Sequence, residues 1–269
     1  VGPADPEDHE LSASRTTPTL RLAGAVALVV LALVACGGSG AKKSSARPLT
    51  LDEASVMADL QYTDYQDQGA TFRVATSFRV SNDVLQLEGE IDWKNHVGHA
   101  FVAAKGSADG ITEVFWTPQY VLERRPGADA VLEGLGFAGV KYFVRRPEPE
   151  KRLLDLSLAV LVGLASTQRD NPQLIQQTPE SAFLRTDTLR GAPVSVLRYG
   201  SRSIYWVDTA TYKLLRFEGN AAAGAAPIIV DILGRGPQTI SFPARNEVIP
   251  VESVRKLYDA IDKAGGKLG

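Results

Sequence analysis

Side chains suited to metal or acid–base chemistry are few in this chain of 269 residues, which holds three histidines and one cysteine. His96 and His99 are three residues apart in "NHVGHA", across an expected hairpin turn. A zinc site needs at least a third protein ligand, and the sequence places none nearby. We therefore expect an exposed pair of histidines in a turn and no bound metal.

Three carboxylates are spaced two residues apart, at Glu88, Glu90 and Asp92. Paired carboxylates can serve as a general acid and a general base. Here, however, they alternate with Leu87, Ile91 and other apolar residues, as in a strand with one dry and one wet face. We expect the solvated face of an antiparallel sheet. The chain also lacks the His-Glu-x-x-His and Gly-x-Ser-x-Gly motifs, so we do not expect an enzyme.

The segment from Gly134 to Gly139, "GLGFAG", fits the spacing Gly-x-Gly-x-x-Gly. A dinucleotide-binding fingerprint follows a strand and opens a helix. This segment instead precedes "VKYFVRR", whose pattern is that of a strand. We expect a glycine-rich turn between two elements and no cofactor.

The single cysteine, Cys36, follows an uncharged apolar run from Leu22 to Ala35, with Arg15 and Arg21 just upstream. A transmembrane helix needs about 20 apolar residues, so this run is too short. A basic flank, a short apolar core and small residues at its end are typical of an export signal. The alternative is a buried structural cysteine in a short core helix.

The residues Leu33-Val34-Ala35-Cys36 resemble the bacterial lipobox. The resemblance implies cleavage before Cys36, a diacylglycerol on its sulfur, and anchoring to the extracytoplasmic face of the cell membrane. We therefore expect a signal peptide at residues 1–35, a flexible tether at 36–49 and a folded domain at 50–269. Beyond residue 35 basic and acidic residues are equal in number, which gives no electrostatic reason to bind nucleic acid.

The remaining pattern predicts a helix, then strands, then helices, then strands, and a final helix. Thr50 and Glu53 form a capping box for the first helix. Residues 147–168 predict a strongly apolar middle helix, and residues 252–263 an amphipathic last helix. Segregated helices and strands favour an α+β fold. We expect a strongly curved antiparallel β-sheet, an incomplete barrel, wrapped over hydrophobic helices.

The stretch "IYWVDTATYKLLRFEG" resembles a hairpin of the LolA-like and LppX/LprG-like bacterial lipoprotein families. The matched residues are Trp206, Val207, Asp208, Thr211 and Arg216. These families usually have Gly after the Thr and Pro two residues before the Arg, whereas this chain has Tyr212 and Leu214. From the motif we expect Trp206 to be mostly buried and Asp208 to bind the backbone of a tight turn.

The resemblance implies a half-barrel with helices across its concave face and a hydrophobic cavity that holds acyl chains. An ordinary packed core is the alternative. The residues expected to line the cavity are Phe101, Phe115, Tyr120, Phe143, Leu156, Val160, Leu164, Tyr199 and Tyr205. A carrier must release its cargo, so we also expect a mobile middle helix.

Two functions fit this interpretation. The first is a membrane-anchored envelope lipoprotein that binds or carries lipids or lipid-linked molecules. The second is a protein-binding regulatory or sensor lipoprotein of the same fold, with an envelope protein as its partner.

Overall fold

The structure is a computed structural model that describes residues 46–77, 84–105, 110–220 and 226–263. Within these ranges the helices are α1 (Leu51–Gln66), α2 (Asp129–Gly134), α3 (Leu153–Gly163), α4 (Pro172–Gln177) and α5 (Arg255–Lys263). The expected capping box is confirmed: Glu53 N donates to Thr50 Oγ1 at 3.2 Å, and Thr50 N donates to the Glu53 carboxylate at 2.9 Å. Such a cap contributes about 1 kcal/mol to helix stability.

Thirteen strands in the described ranges form one sheet. They are β1 (Arg47–Pro48), β2 (Gly69–Ser77), β3 (Val84–Asp92), β4 (Val97–Lys105), β5 (Glu113–Trp116), β6 (Val121–Arg124), β7 (Tyr142–Arg145), β8 (Ala182–Leu189), β9 (Ala192–Tyr199), β10 (Ser203–Asp208), β11 (Leu214–Gly219), β12 (Ile228–Arg235) and β13 (Val248–Pro250). Their order is β1-β8-β9-β10-β11-β12-β2-β3-β4-β5-β6-β7-β13, so the curved sheet remains open between β1 and β13.

The predicted fold class, α+β with an incomplete antiparallel barrel, is confirmed. One strand pair departs from it, because β13 runs parallel to β7. The strand β1 lies inside the stretch expected to be tether, where it pairs with β8. An irregular segment, residues 236–244, leads from β12 towards β13.

Alternation along the strands gives the sheet two distinct faces. The helix-side face carries Phe72, Val74, Leu87 and Val114, which are buried in the main core together with residues of α1 and α3. The residues that alternate with these along each strand point to the outer face. Its members include Glu88, Glu90 and Asp92, which confirms the predicted polar face of β3.

The middle helix is shorter than predicted because residues 147–152 form an extended stretch and a turn before α3 begins. Within α3, Leu154, Leu158 and Leu161 are buried. The indole Nε1 of Trp93 donates to the carbonyl oxygen of Leu161 at 3.0 Å, which holds the end of α3 against the sheet.

A second, smaller core lies beside β7 and β13. It contains Ala128, Leu132, Phe143, Ile249, Val251, Val254 and Tyr258. The last helix starts at Arg255, later than predicted, because Val251–Val254 is a 3-10 turn. The helix α2 was not predicted. In the described residues no helix combines the length and the apolar character needed to span a membrane.

Candidate ligand cavity

A cavity on the helix-side face lies between the first half of α1 and the strands β9 and β10. We call it the α1 cavity. Its volume is about 440 Å³, within the range of about 300–1,000 Å³ that is usual for small-molecule sites. The residues around it are Asp52, Glu53, Val56, Ser195, Leu197, Val207, Asp208, Thr209 and Tyr212.

A small side chain leaves this space open. Ser195 on β9 points to the helix side and lies opposite Val207 on β10 and Thr186 on β8. Its neighbours on the same face, Leu197 and Val207, are buried in the main core. Because a serine fills little volume at this position, α1 and the sheet do not meet there. The apolar wall formed by Val56, Leu197 and Val207 is what an acyl chain or another apolar group would contact.

The polar rim of the α1 cavity is acidic, and no lysine or arginine is among its lining residues. Glu53 binds the Arg47 guanidinium at 2.6 and 2.8 Å. The hydrogen bonds from Arg47 hold the pKa of Glu53 below its usual value. Asp208 is held in the hairpin turn, and Asp52 is exposed. Such a rim favours a neutral or cationic polar group over a phosphate or another anion.

The hairpin motif forms the far wall of the cavity. As predicted, Asp208 Oδ1 accepts from the backbone N–H groups of Ala210 at 2.8 Å and Thr211 at 2.7 Å. These hydrogen bonds lower the pKa of Asp208, and the bond from Thr211 has the largest effect. Trp206 packs against the outer-face cluster with only part of its surface exposed, which agrees with the prediction. Its ring lies on the outer face between Arg185 and Arg216, at 5.1 and 5.6 Å.

The opposite end of α1 is fixed by ion pairs. Lys213 contacts Asp67 at 2.8 Å. Arg235 contacts Asp67 at 3.0 Å and also binds the buried Asp64. Burial raises the pKa of Asp64 to about 7 in spite of Arg235. The cavity therefore lies under the half of α1 that does not carry these bonds.

A second cavity, which we call the α3 cavity, has a volume of about 230 Å³. It lies between α3 and the β5–β6 turn, and its lining is mainly apolar. The residues around it are Trp116, Thr117, Pro118, Val121, Pro147, Pro149, Asp155, Leu158, Ala159 and Val162. Its volume is below the usual range for ligand sites.

A buried ionic network fixes the start of α3 beside this cavity. Arg145 donates to both oxygens of Asp155 at 2.6 and 2.7 Å, and its Nε donates to Glu123 at 2.6 Å. The hydroxyl of Tyr258 and the guanidinium of Arg125 also donate to Glu123, at 2.8 and 2.9 Å. Burial alone would raise the pKa of Glu123, but Arg145 and Arg125 bring it below its usual value.

Tyr258 gives the network a link to α5. Its pKa is raised to about 12 by burial and by Glu123, so it remains a donor at physiological pH. Because two helices and two strands share these bonds, the start of α3 is held firmly. This arrangement opposes the expectation that the whole middle helix moves during ligand release.

Four of the residues predicted to line the cavity lie away from the α1 and α3 cavities. Phe101 and Phe115 are on the outer face, and Phe101 is 62% exposed. Tyr120 packs against Phe242 beside the β5–β6 turn. Phe143 belongs to the second core, 5.6 Å from the ring of Tyr258. Phe101 and Phe115 alternate with the core-facing residues of their strands, so they lie on the outer face. Tyr120 and Phe143 instead pack against residues of the C-terminal segment.

The other five are on the helix side. Leu156, Val160 and Leu164 pack against the main core, and none of them lines the α1 or α3 cavity. Tyr199 and Tyr205 border a small cavity of about 50 Å³ beside α1 and α4. Burial raises the pKa of Tyr205 to about 12. Whether any of these residues contacts a ligand stays a prediction.

Sequence reasoning missed the residues that do line the α1 cavity. The alternation in "PVSVLRY" places Ser195, Leu197 and Tyr199 on one face, so the position of Ser195 could have been found from Tyr199. The residues Asp52 and Val56 could not, because they lie beside the buried apolar side of α1, formed by Ala54, Met57 and Leu60, rather than on it.

The remaining sequence predictions have mixed outcomes. His99 is not exposed: its Nε2 lies 2.8 Å from Glu113, and its ring stacks on Phe115 at 4.3 Å. In the described part of the chain no group of three or more histidine, cysteine or acidic side chains could hold a metal ion. The segment from Gly134 to Gly139 joins α2 to β7, as expected of a turn. Cys36 lies outside the described residues.

No family model matches this chain, and no curated protein does. Three of the solved structures that are similar to it are described below. An uncharacterized conserved protein from Thermus thermophilus is 10% identical with a TM-score of 0.36, over 70% of this chain and 94% of the other. LprF from Mycobacterium bovis is 14% identical with a TM-score of 0.41, over 73% and 99%.

The third is the MucA/MucB complex from Pseudomonas aeruginosa. It is 11% identical with a TM-score of 0.31, over 73% of this chain and 58% of the other. Since every TM-score is below 0.5, these similarities carry no argument about what the protein binds or does.

Proposed function

We propose that this protein is a membrane-anchored envelope lipoprotein that binds a lipid or lipid-linked molecule in the α1 cavity, in a binding rather than a catalytic role. The observation that supports the proposal is the cavity of about 440 Å³ with an apolar wall under α1. Transfer of an acyl chain from water to such a wall gains about 0.8 kcal/mol per CH₂ group. Enclosure of only part of a chain would therefore bind it well.

The acidic rim narrows the class of ligand. The carboxylates of Asp52 and Asp208 would repel a phosphate at the mouth of the cavity, whereas the charge of Glu53 is offset by Arg47. A neutral or amine-bearing polar group can instead stay at the rim, in contact with water, while the chain lies against Val56 and Leu197. We therefore propose an acyl-bearing molecule whose polar end, close to the chain, carries no negative charge.

Anchoring through Cys36 would bring the cavity close to the bilayer. Ten residues separate Cys36 from Arg47, and a flexible coil of that length spans about 17 Å on average. Arg47 pairs with Glu53, which lines the cavity. The tether would thus hold the rim within reach of membrane lipids.

Native mass spectrometry of the full-length protein, extracted from its own membrane in mild detergent, tests the proposal. The wild type is expected to carry a lipid adduct. Ser195→Phe fills the cavity and should lose the adduct. Ala75→Phe adds the same bulk on the outer face of β2 and should keep it. A wild type without adduct, or an adduct that survives in Ser195→Phe with unchanged circular dichroism, would contradict the proposal.

One observation favours the alternative of a protein-binding lipoprotein. Phe101 is 62% exposed on the outer face, between Glu88 on β3 and Glu113 on β5. An exposed aromatic side chain among carboxylates is a suitable contact for a partner protein. A photoactivatable side chain at position 101 that cross-links one envelope protein in intact cells, with no lipid adduct in the wild type, would support this alternative.

A further inference from the structure

Tyr212 adopts a backbone conformation that a tyrosine rarely takes. Its φ is +56°, in the left-handed region where the Cβ of a bulky residue is crowded and glycine is not. The loop geometry imposes this conformation. Asp208 N donates to Lys213 O at 3.0 Å and Tyr212 N donates to Asp208 O at 2.9 Å, which closes the loop between β10 and β11.

Most of the Tyr212 side chain lies outside the packed core. The side chain is 60% exposed. Among the described residues it makes no hydrogen bond and no ring contact. A bulky residue in an unfavourable backbone region, with a side chain that makes no hydrogen bond or ring contact to the described residues, points to a function outside folding. The other observation at this position is that Tyr212 lines the α1 cavity.

The residues on either side of Tyr212 fix the loop backbone, so the side chain of Tyr212 is the part that can move. On one side of it, Asp208 fixes the loop backbone through its bonds to Ala210 and Thr211. On the other side, Lys213 is paired with Asp67 at the end of α1. A change at the mouth of the cavity therefore needs only a rotation of the tyrosine ring about its χ angles, without movement of the hairpin.

We propose that Tyr212 is the gate of the α1 cavity, and that its ring covers the mouth and sets the rate at which a ligand enters and leaves. This inference rests on the proposed function. Asp52 and Glu53 also line the cavity, and Glu53 is held by Arg47. The gate thus has one fixed wall and one movable side chain, and the ring offers an apolar surface to a chain that passes it.

Stopped-flow fluorescence with N-phenylnaphthylamine, a neutral apolar dye that brightens on leaving water, tests the gate on the full-length protein. We expect Tyr212→Gly to release the dye at least about tenfold faster than the wild type. Its thermal midpoint should be no lower than that of the wild type, because glycine removes the backbone strain. Tyr212→Phe keeps the ring and should keep the wild-type rate. Tyr120→Ala removes a tyrosine from a turn away from the cavity and should also keep it.

Tyr212→Asn is a second variant, since asparagine tolerates the left-handed region, and it should release the dye as fast as Tyr212→Gly. A wild-type release rate in either variant would overturn the gate and leave the proposed function standing. Absence of dye binding by the wild type would overturn both the gate and the proposed function. Dye binding that persists in the Ser195→Phe variant would also overturn both.

Discussion

Arg216 lies opposite Trp206 across the β10–β11 hairpin, with its guanidinium carbon 5.6 Å from the centre of the indole ring. The same guanidinium donates to both oxygens of Asp231 on β12, at 2.8 and 2.9 Å. The tryptophan and arginine of the hairpin motif therefore join three neighbouring strands on the outer face. The role of these two residues is structural, whereas Val207 and Asp208 of the same motif line the α1 cavity.

Substitutions of this pair should lower stability without affecting the cavity. Trp206→Ala is expected to cost about 2 kcal/mol, less than for a core tryptophan, because part of the ring is exposed. Arg216→Lys loses the planar contact with both partners and should cost about 1 kcal/mol. Urea unfolding measures both. Arg73→Lys, in the exposed pair with Glu88, is the control and should change stability by less than about 0.5 kcal/mol.

The ionic network at Glu123 should be the most sensitive polar feature of the described chain. Asp155→Ala leaves Arg145 buried without one of its carboxylates, which is expected to cost about 3–5 kcal/mol. Asp59→Ala, whose carboxylate is exposed and lies 3.4 Å from Arg169, should cost less than about 1 kcal/mol. Chemical denaturation of the two variants compares them. Equal and small losses would show that the network does not hold α3.

Asp64 gives a prediction for pH dependence. Its pKa rises from an ordinary value of 3.8 to about 7 in the folded protein. Between these two values the folded state holds a proton that the unfolded chain has lost. The contribution of Asp64 is therefore complete below about pH 4 and is lost as the pH rises through about 7.

Relative to Asp64→Asn, the wild type should lose stability with rising pH in that window, by about 1 kcal/mol per pH unit at the steepest. Unfolding free energies of both proteins at several pH values provide the comparison. A difference that stays constant across that window, or one that grows in favour of the wild type, is incompatible with this assignment.

Cys36 is expected to anchor the protein. Cys36→Ala should move the protein from the detergent phase to the aqueous phase in phase partitioning, or leave it with an uncleaved signal. Cys36→Ser is a closer match in size and should behave in the same way, because its oxygen replaces the sulfur that would carry the lipid. A wild-type protein found wholly in the aqueous phase would contradict the anchor.

Local patterns predicted much of the fold. The capping box at Thr50 located α1, and the alternation in β3 separated its core side from its polar side. Long-range features were not accessible in this way. The parallel pairing of β13 with β7 depends on a segment that passes the outer face, where Phe242 packs on Phe115 at 5.6 Å. Nothing local to the residues around Phe242 shows that contact.

The candidate site was predicted less well than the fold, for two physical reasons. First, both faces of β4 and β5 carry aromatic or aliphatic residues, so Phe101 and Phe115 could not be assigned to a face by hydrophobicity. Second, a cavity forms where side chains are too small to fill the space between two elements. Ser195 is such a small side chain, and its neighbours on β8 and β10, which decide whether the space is filled, cannot be identified from the local sequence.

Mapping the position of a bound chain tests the central claim most directly. The full-length protein would be loaded with a neutral acyl alcohol that carries a photoactivatable diazirine at the end of its chain. After irradiation, the labelled residues would be identified by peptide mass spectrometry. We expect labels on Val56, Leu197 or Val207, and their loss in Ser195→Phe. Labels confined to the outer face, or labels on the α1 cavity that persist in Ser195→Phe, would contradict the account.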